Sequence, residues 1–214
     1  MQQYQSIDGS SKAPLGVPCI AFYKYDGSNL RFEWSPKQGW HKFGTRRQLF
    51  DASDPVFGPA IPIFMSGMGD EIVRRVKSVD RGIQRITAFA EYLGPKSFAG
   101  KHEPDDTMML RLIDVFLFKK GLIPPRQFVK LFDDMQDPNG NAWASARVLY
   151  DGTLNKQFIA DVRAGKYTDE FAAPGFVPEG VVAKGEWGMV KIKTDAYFNK
   201  LNEVYGTEYR NYWE

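Results

Sequence analysis

The sequence predicts an α+β fold, and three observations carry that prediction. Segments with apolar residues at strand spacing and segments with apolar residues at helical spacing are mixed, without the strict strand–helix–strand rhythm of a doubly wound protein. The chain has 214 residues, 43% of them hydrophobic and 14% aromatic, enough to build a substantial core. No internal repeat or low-complexity segment breaks it up.

The elements follow from local chemistry. Roughly the first sixteen residues are mostly polar and read as an entry segment closing near Pro14 and Pro18. Residues 19–25 and 29–34 read as two short strands flanking the turn Asp26-Gly27-Ser28. Residues 54–62 hold Pro55, Pro59 and Pro62 and read as loop. Ile72, Val73, Val76 and Val79 give residues 69–79 the spacing of an amphipathic helix. Residues 86–93 and 108–118 are apolar and aromatic, as buried strands are. Proline in the first turn and apolar Phe128, Val129, Leu131 and Phe132 predict a second helix over 125–135. A third is predicted over 154–164, short strands over 180–184 and 189–193, and a closing helix over 196–205 ended by Gly206.

Composition excludes more than it suggests. With 28 Lys and Arg against 26 Asp and Glu, the net charge of +2 gives no global basic footprint for nucleic acid, so any such surface is a local patch. The single cysteine, Cys19, cannot form an internal disulfide, and its apolar setting reads as a buried, inert thiol. No signal peptide is evident, and no run approaches the ~18 apolar residues of a membrane span. The expectation is a soluble, cytoplasmic protein, monomeric by default.

Four segments carry chemistry. Lys24-Tyr25-Asp26-Gly27-Ser28-Asn29 places a lysine at the end of a buried strand beside a glycine turn, where it can meet a phosphate at close range. An amine is a nucleophile only when deprotonated, so a site using Lys24 must lower its pKa from about 10.4 with burial or neighbouring cations. Alone, the motif is weak, and a hairpin turn with an exposed lysine is the better reading of it. In Val190-Lys191-Ile192-Lys193, Lys191 and Lys193 share one strand face while Val190 and Ile192 pack behind. Two ammonium groups on one face suit a triphosphate and depress a nearby lysine; a solvated strand face is the plain alternative. Glu91, in Phe89-Ala90-Glu91-Tyr92-Leu93, is a carboxylate inside an apolar strand, hence paired, metal-bound, in a cleft, or on an exposed edge. Thr45-Arg46-Arg47 suits a phosphate-gripping loop or an ordinary surface arginine pair.

The order Lys-x-Asp-Gly, arginine loop, strand glutamate, Glu179-Gly180-Val181-Val182-Ala183-Lys184, then Lys191-x-Lys193 resembles the covalent nucleotidyltransferases: DNA ligases, RNA ligases and mRNA capping enzymes. Within that superfamily the chain most resembles RNA ligases that seal nicks in duplex RNA. Asn29 sits where DNA ligases tend to have arginine, and Tyr4-Gln5-Ser6-Ile7 resembles the lead-in of the RNA ligase group. The match spans roughly residues 4–201.

The resemblance implies a nucleotidyltransferase (ligase adenylation) domain of antiparallel β-sheets flanked by helices, with an ATP cleft between sheets. The expectation is a single domain over 1–214: only 21 residues follow Lys193, too few for the C-terminal OB-fold domain into which DNA ligases and capping enzymes continue. Lys24 would attack the α-phosphate of ATP, with Asp26 and Gly27 also at the nucleotide. Glu91 would hold the ribose, Glu179 would bind magnesium or manganese, and Lys191 and Lys193 would grip the α-phosphate. Asn29 with Arg46 or Arg47 would position the nucleic-acid end. Partners implied are RNA ends, nicked or annealed, with DNA possible. Sibling readings are a minimal DNA ligase and a GTP-using capping enzyme; a binding module that keeps the fold without the reaction stands apart. One departure concerns Ile113, which precedes Asp114 where the family usually stacks an aromatic on adenine.

Other signals are declined. Residues 94–101 brush against a phosphate-loop pattern with a spacer one residue too long, and His102 stands where Ser or Thr is needed. His41 and His102 lack ligand spacing. Asp105-Asp106 and Asp133-Asp134 read as solvated charges, and the aromatic tail (Tyr205, Tyr209, Tyr212, Trp213) reads as packed on its own domain.

Overall fold

Strand segments dominate the chain and sort into two sheets. The computed structural model of the protein describes residues 1–94, 107–136, 144–168 and 177–206. Among these the strands are β1 (Asp8–Gly9), β2 (Val17–Lys24), β3 (Ser28–Ser35), β4 (Gly39–Thr45), β5 (Leu49–Phe50), β6 (Ile86–Leu93), β7 (Met109–Leu117), β8 (Gly121–Leu122), β9 (Val148–Leu154), β10 (Gly180–Gly185) and β11 (Gly188–Lys193). The helices are α1 (Ala60–Ile63), α2 (Gly69–Val79), α3 (Pro125–Phe132), α4 (Lys156–Arg163) and α5 (Asp195–Tyr205). The chain divides into two compact units: Met1–Gln5 with Gly27–Ala146, and Ser6–Asp26 with Arg147–Glu214. The mixed α+β content and antiparallel sheets agree with the sequence expectation. Residues 95–101 and His102 of the phosphate-loop-like stretch, Asp105-Asp106, and Tyr209, Tyr212 and Trp213 of the tail lie outside the described residues. No described helix is long and apolar enough to cross a membrane.

In the first unit, six strands run in the order β5-β4-β3-β6-β7-β8, each pair antiparallel. Alternation on β3 sends Leu30, Phe32 and Trp34 to one face and Asn29, Arg31 and Glu33 to the other. Phe32 stacks on Phe64 at 3.9 Å between ring centroids, and Trp40 meets Phe64 edge-on at 4.7 Å. Phe64 opens a π-helical turn, Phe64–Met68, that joins α1 to α2. On α2, Ile72 and Val76 are fully buried. The loop expected over 54–62 ends earlier, because α1 begins at Ala60 and takes Pro62 into its first turn. Proline is tolerated there, since a first-turn N–H has no intrahelical acceptor.

In the second unit, five strands run in the order β1-β11-β10-β2-β9, antiparallel except for β1 against β11. One face carries Cys19, Ala21, Val181, Ala183, Val190 and Ile192, packed on Phe158 and Val162 of α4. Burial pushes the Cys19 thiol up to about 11, as expected of an inert core cysteine. Leu154, expected to open α4, is the last residue of β9. Asn155 caps the helix instead, its side chain accepting from the Phe158 N–H at 2.8 Å.

Candidate active site

The face of the second sheet opposite its core is built by register. Gly180 of β10 lies between Lys24 of β2 and Lys193 of β11, so the transverse row reads Lys24–Gly180–Lys193. The next row reads Phe22–Val182–Lys191. Cross-strand neighbours on one face have Cβ atoms about 5 Å apart. The central glycine therefore leaves the space between the two lysines free of a side chain.

Glu179, just before β10, fills that space with charge. Its Oε2 accepts from Lys24 Nζ at 2.7 Å, and its Oε1 lies 3.4 Å from Lys193 Nζ. The carboxylate is shared by the two ammonium groups, and Glu179 is only 4% exposed. Burial, then Lys24 and Lys191, hold Lys193 below the ordinary lysine range, while Glu179 acts in the opposite sense. Lys184 is buried on the same face with its ammonium 4.8 Å from the Phe22 ring centroid.

Residues after β11 fix this arrangement, and the motif comparison did not single them out. Thr194 is fully buried and caps α5, its hydroxyl accepting from the Tyr197 N–H at 3.1 Å. The same hydroxyl donates to the Pro178 carbonyl at 2.7 Å, and the Thr194 N–H donates to the Glu179 carbonyl at 3.0 Å. Tyr197 donates its hydroxyl to Asp26 at 3.0 Å, and Lys193 Nζ lies 5.2 Å from the Tyr197 ring centroid. The one signal available in sequence was a threonine followed by an acidic residue at the start of an apolar-periodic run, a helix N-terminus. Thr194→Val, which removes the cap and the bond to Pro178, is expected to lower unfolding free energy by about 1–2 kcal/mol. Urea titration checks this; a variant as stable as the parent would show that the cap contributes nothing.

The remaining expected site residues belong to the first unit. Asn29 on β3 lies directly opposite Glu91 on β6. The Asn29 side-chain oxygen is buried with no hydrogen-bond partner among the described residues, an arrangement that suits a bound polar group. Gly27 is required by space: a Cβ there would lie 2.5 Å from the Tyr92 carbonyl and 3.0 Å from the Glu91 Cγ. Arg46 donates to the Gln5 carbonyl at 2.9 Å, whereas the Arg47 N–H donates to Thr45 Oγ1 at 3.2 Å. Both arginines are exposed. Ile113 falls at a bulge, where Leu112 and Asp114 face the consecutive residues Ala90 and Phe89. Asp114 accepts from the Tyr4 hydroxyl, and the Tyr4 ring sits 4.8 Å from that of Phe89. Lys24, Asp26, Glu179, Lys191 and Lys193 thus lie together in one unit, and Gly27, Asn29, Glu91, Arg46 and Arg47 lie in the other. Among the described residues, no group of three or more His, Cys, Asp and Glu is placed to hold a metal ion.

Neither a protein-family model nor a curated protein sequence matches the chain. Solved structures do match, and they define a class: the chain has an RNA ligase-like nucleotidyltransferase fold. Among the solved proteins whose fold it shares is the RNA ligase of Naegleria gruberi. With pyrophosphate, that ligase matches at 16% identity and a TM-score of 0.64, over 95% of this chain and 58% of that one. A variant with ATP and manganese matches at 15% identity and 0.62, over 92% and 57%. A variant with AMP and manganese matches at 15% identity and 0.63, over 94% and 58%. The chain therefore spans a little under three fifths of the length of the solved ligases it matches. At these identities the likeness is one of fold.

Proposed function

We propose that this chain is an ATP-dependent polynucleotide ligase acting on RNA ends, nicked or annealed, through a covalent lysyl-AMP on Lys24. The observation that carries the reading is the carboxylate of Glu179 held between the ammonium groups of Lys24 and Lys193. A lysine nucleophile needs nearby cations to favour its neutral form, and an α-phosphate needs cations to neutralise the charge it develops. Lys191 and Lys193 supply those cations, whereas the Glu179 carboxylate favours the charged amine and must give up its contact with Lys24 before attack. The solved ligases with ATP, AMP and pyrophosphate support the choice of nucleotide.

In this reading the Lys24 amine, having lost its proton, forms a bond to the α-phosphorus of ATP. The bond from that phosphorus to the β-bridging oxygen breaks, and pyrophosphate leaves with the electron pair. Lys191 and Lys193 neutralise the non-bridging oxygens. A 5′-phosphate oxygen of the RNA next attacks the same phosphorus, and the nitrogen–phosphorus bond breaks with its pair returning to Lys24. The 3′-hydroxyl oxygen finally attacks the 5′-phosphorus and releases AMP. Glu91 holds the ribose, Asp26 and Gly27 lie at the nucleotide, and Asn29 with Arg46 or Arg47 positions the nucleic-acid end.

In this reading Glu179 is the carboxylate that would hold a divalent metal, in exchange for its contacts with Lys24 and Lys193. Glu179 offers two carboxylate oxygens, and magnesium commonly takes one or two carboxylates with water and phosphate oxygens completing its shell. Bound there, magnesium or manganese would screen the approaching phosphates.

The test mixes protein, magnesium and α-labelled ATP, denatures the protein and looks for label on the chain. Wild type is expected to carry label, and Lys24→Ala to lose at least about a thousandfold in rate. Label from GTP but not ATP would favour a capping enzyme. No label, with no sealing of a pre-adenylated strand, would leave a binding module.

A further inference from the structure

Helix α5 meets the lysine cluster through one side chain that does two separable things. Tyr197 is only 2% exposed, so what it contacts is set by the fold. Its hydroxyl holds Asp26, two residues beyond Lys24, at 3.0 Å. Its ring lies beneath the Lys193 ammonium at 5.2 Å, with Phe198 at 6.0 Å. Thr194, three residues before, fixes the carbonyls of Pro178 and Glu179. The first turn of α5 therefore touches all three segments that supply the cluster. Burial, followed by the carboxylates of Glu179 and Asp26, keeps the Tyr197 phenol well above its ordinary value, so the hydroxyl stays a donor.

We propose that Tyr197 is a positioning residue for the reaction of Lys24: its hydroxyl tethers the Asp26 turn and its ring orients Lys193. This rests on the ligase reading. A tether of this kind acts on the geometry of attack, so its loss lowers the rate at saturating nucleotide more than it weakens nucleotide binding. Tyr197→Phe removes the hydroxyl and keeps the ring, whereas Tyr197→Leu removes both.

The experiment measures lysyl-AMP formation against ATP concentration for wild type, Tyr197→Phe, Tyr197→Leu, Asp26→Asn and the double variant of Tyr197→Phe with Asp26→Asn. Tyr197→Phe is expected to lower the maximal rate roughly tenfold, the scale of one well-placed hydrogen bond, with the half-saturating ATP concentration changed less than about threefold. The double variant is expected to be no slower than Asp26→Asn alone, because both break one link. Tyr197→Leu is expected to be slower than Tyr197→Phe. A wild-type rate in Tyr197→Phe, or effects that multiply in the double variant, would overturn the proposal. Hydrogen exchange supplies a readout independent of activity: the peptide covering residues 24–28 is expected to exchange faster in Tyr197→Phe while β10 and β11 do not. Unchanged exchange overturns the tether even if no adduct forms; an unlabelled wild type with the exchange difference intact overturns only the ligase reading.

Discussion

Glu179→Gln is expected to cost about 2–4 kcal/mol of stability and to slow lysyl-AMP formation by roughly two orders of magnitude. The carboxylate is shared by Lys24 and Lys193, and the side chains of Glu179 and Lys193 are each 6% exposed. Glutamine keeps the volume and one acceptor but removes the charge that the two ammonium groups share. Cutting one partner from a buried pair exposes the full desolvation cost of the other. The deficit has a predictable pH dependence. Lys193 already sits below its ordinary value of 10.5 in the folded protein, and losing Glu179 depresses it further. The unfolded chain then binds more protons than the folded one, so the variant gains stability as pH rises towards 10.5. The gap from wild type is therefore widest near neutral pH and narrows in alkali. Urea titrations at pH 7 and 10 check this; equal stability at pH 7 would mean that the pair contributes nothing to the fold.

Gly180→Ala should be the most damaging single methyl in the second unit. Gly180 has φ of +145°, and an added Cβ would lie 2.0 Å from the Ile192 carbonyl oxygen and 2.9 Å from the Lys193 Cα. Backbone atoms cannot swing aside as a side-chain tip can, so β10 and β11 must part where they carry the cluster. A loss of about 3 kcal/mol or more follows from clash and backbone strain together. Gly188→Ala separates the two causes: its φ is +119°, but nothing lies within 4 Å of the new carbon. That variant is expected to lose only about 1–2 kcal/mol. Thermal unfolding of both, with the label assay, provides the check. Equal losses would assign the whole effect to strain.

Much of this site was legible because a strand's two-residue period is a strong constraint. Lys191 and Lys193 had to share a face once Val190 and Ile192 were placed in the core. The partner of Lys24 was not legible from periodicity, since its ion pair spans 155 residues of chain. Tyr197 was hidden for another reason: in an amphipathic helix, a tyrosine that orients a lysine is spaced like one that merely fills the core. Five strands escaped; β1, β5 and β8 are two residues long, and the two longer ones escaped for local reasons. At β4, the irregularity between Glu33 and Trp34 shifts the pairing and breaks the alternation between Trp40 and Phe43. At β9, Asp151-Gly152 reads as a turn, yet both residues are paired with β2.

The 155-residue separation of Lys24 and Glu179 also sets an order of events during synthesis. β2 emerges early, but its neighbour β10 follows a whole unit later. At 5–20 residues per second the delay is about 8–30 s, far longer than a hairpin needs to close. During that interval the strand that ends in Lys24 has neither Glu179 nor its neighbour β10. A newborn chain of this protein therefore carries the lysine long before it carries the cluster, and any chemistry of that cluster begins only after the last sheet strands have been made.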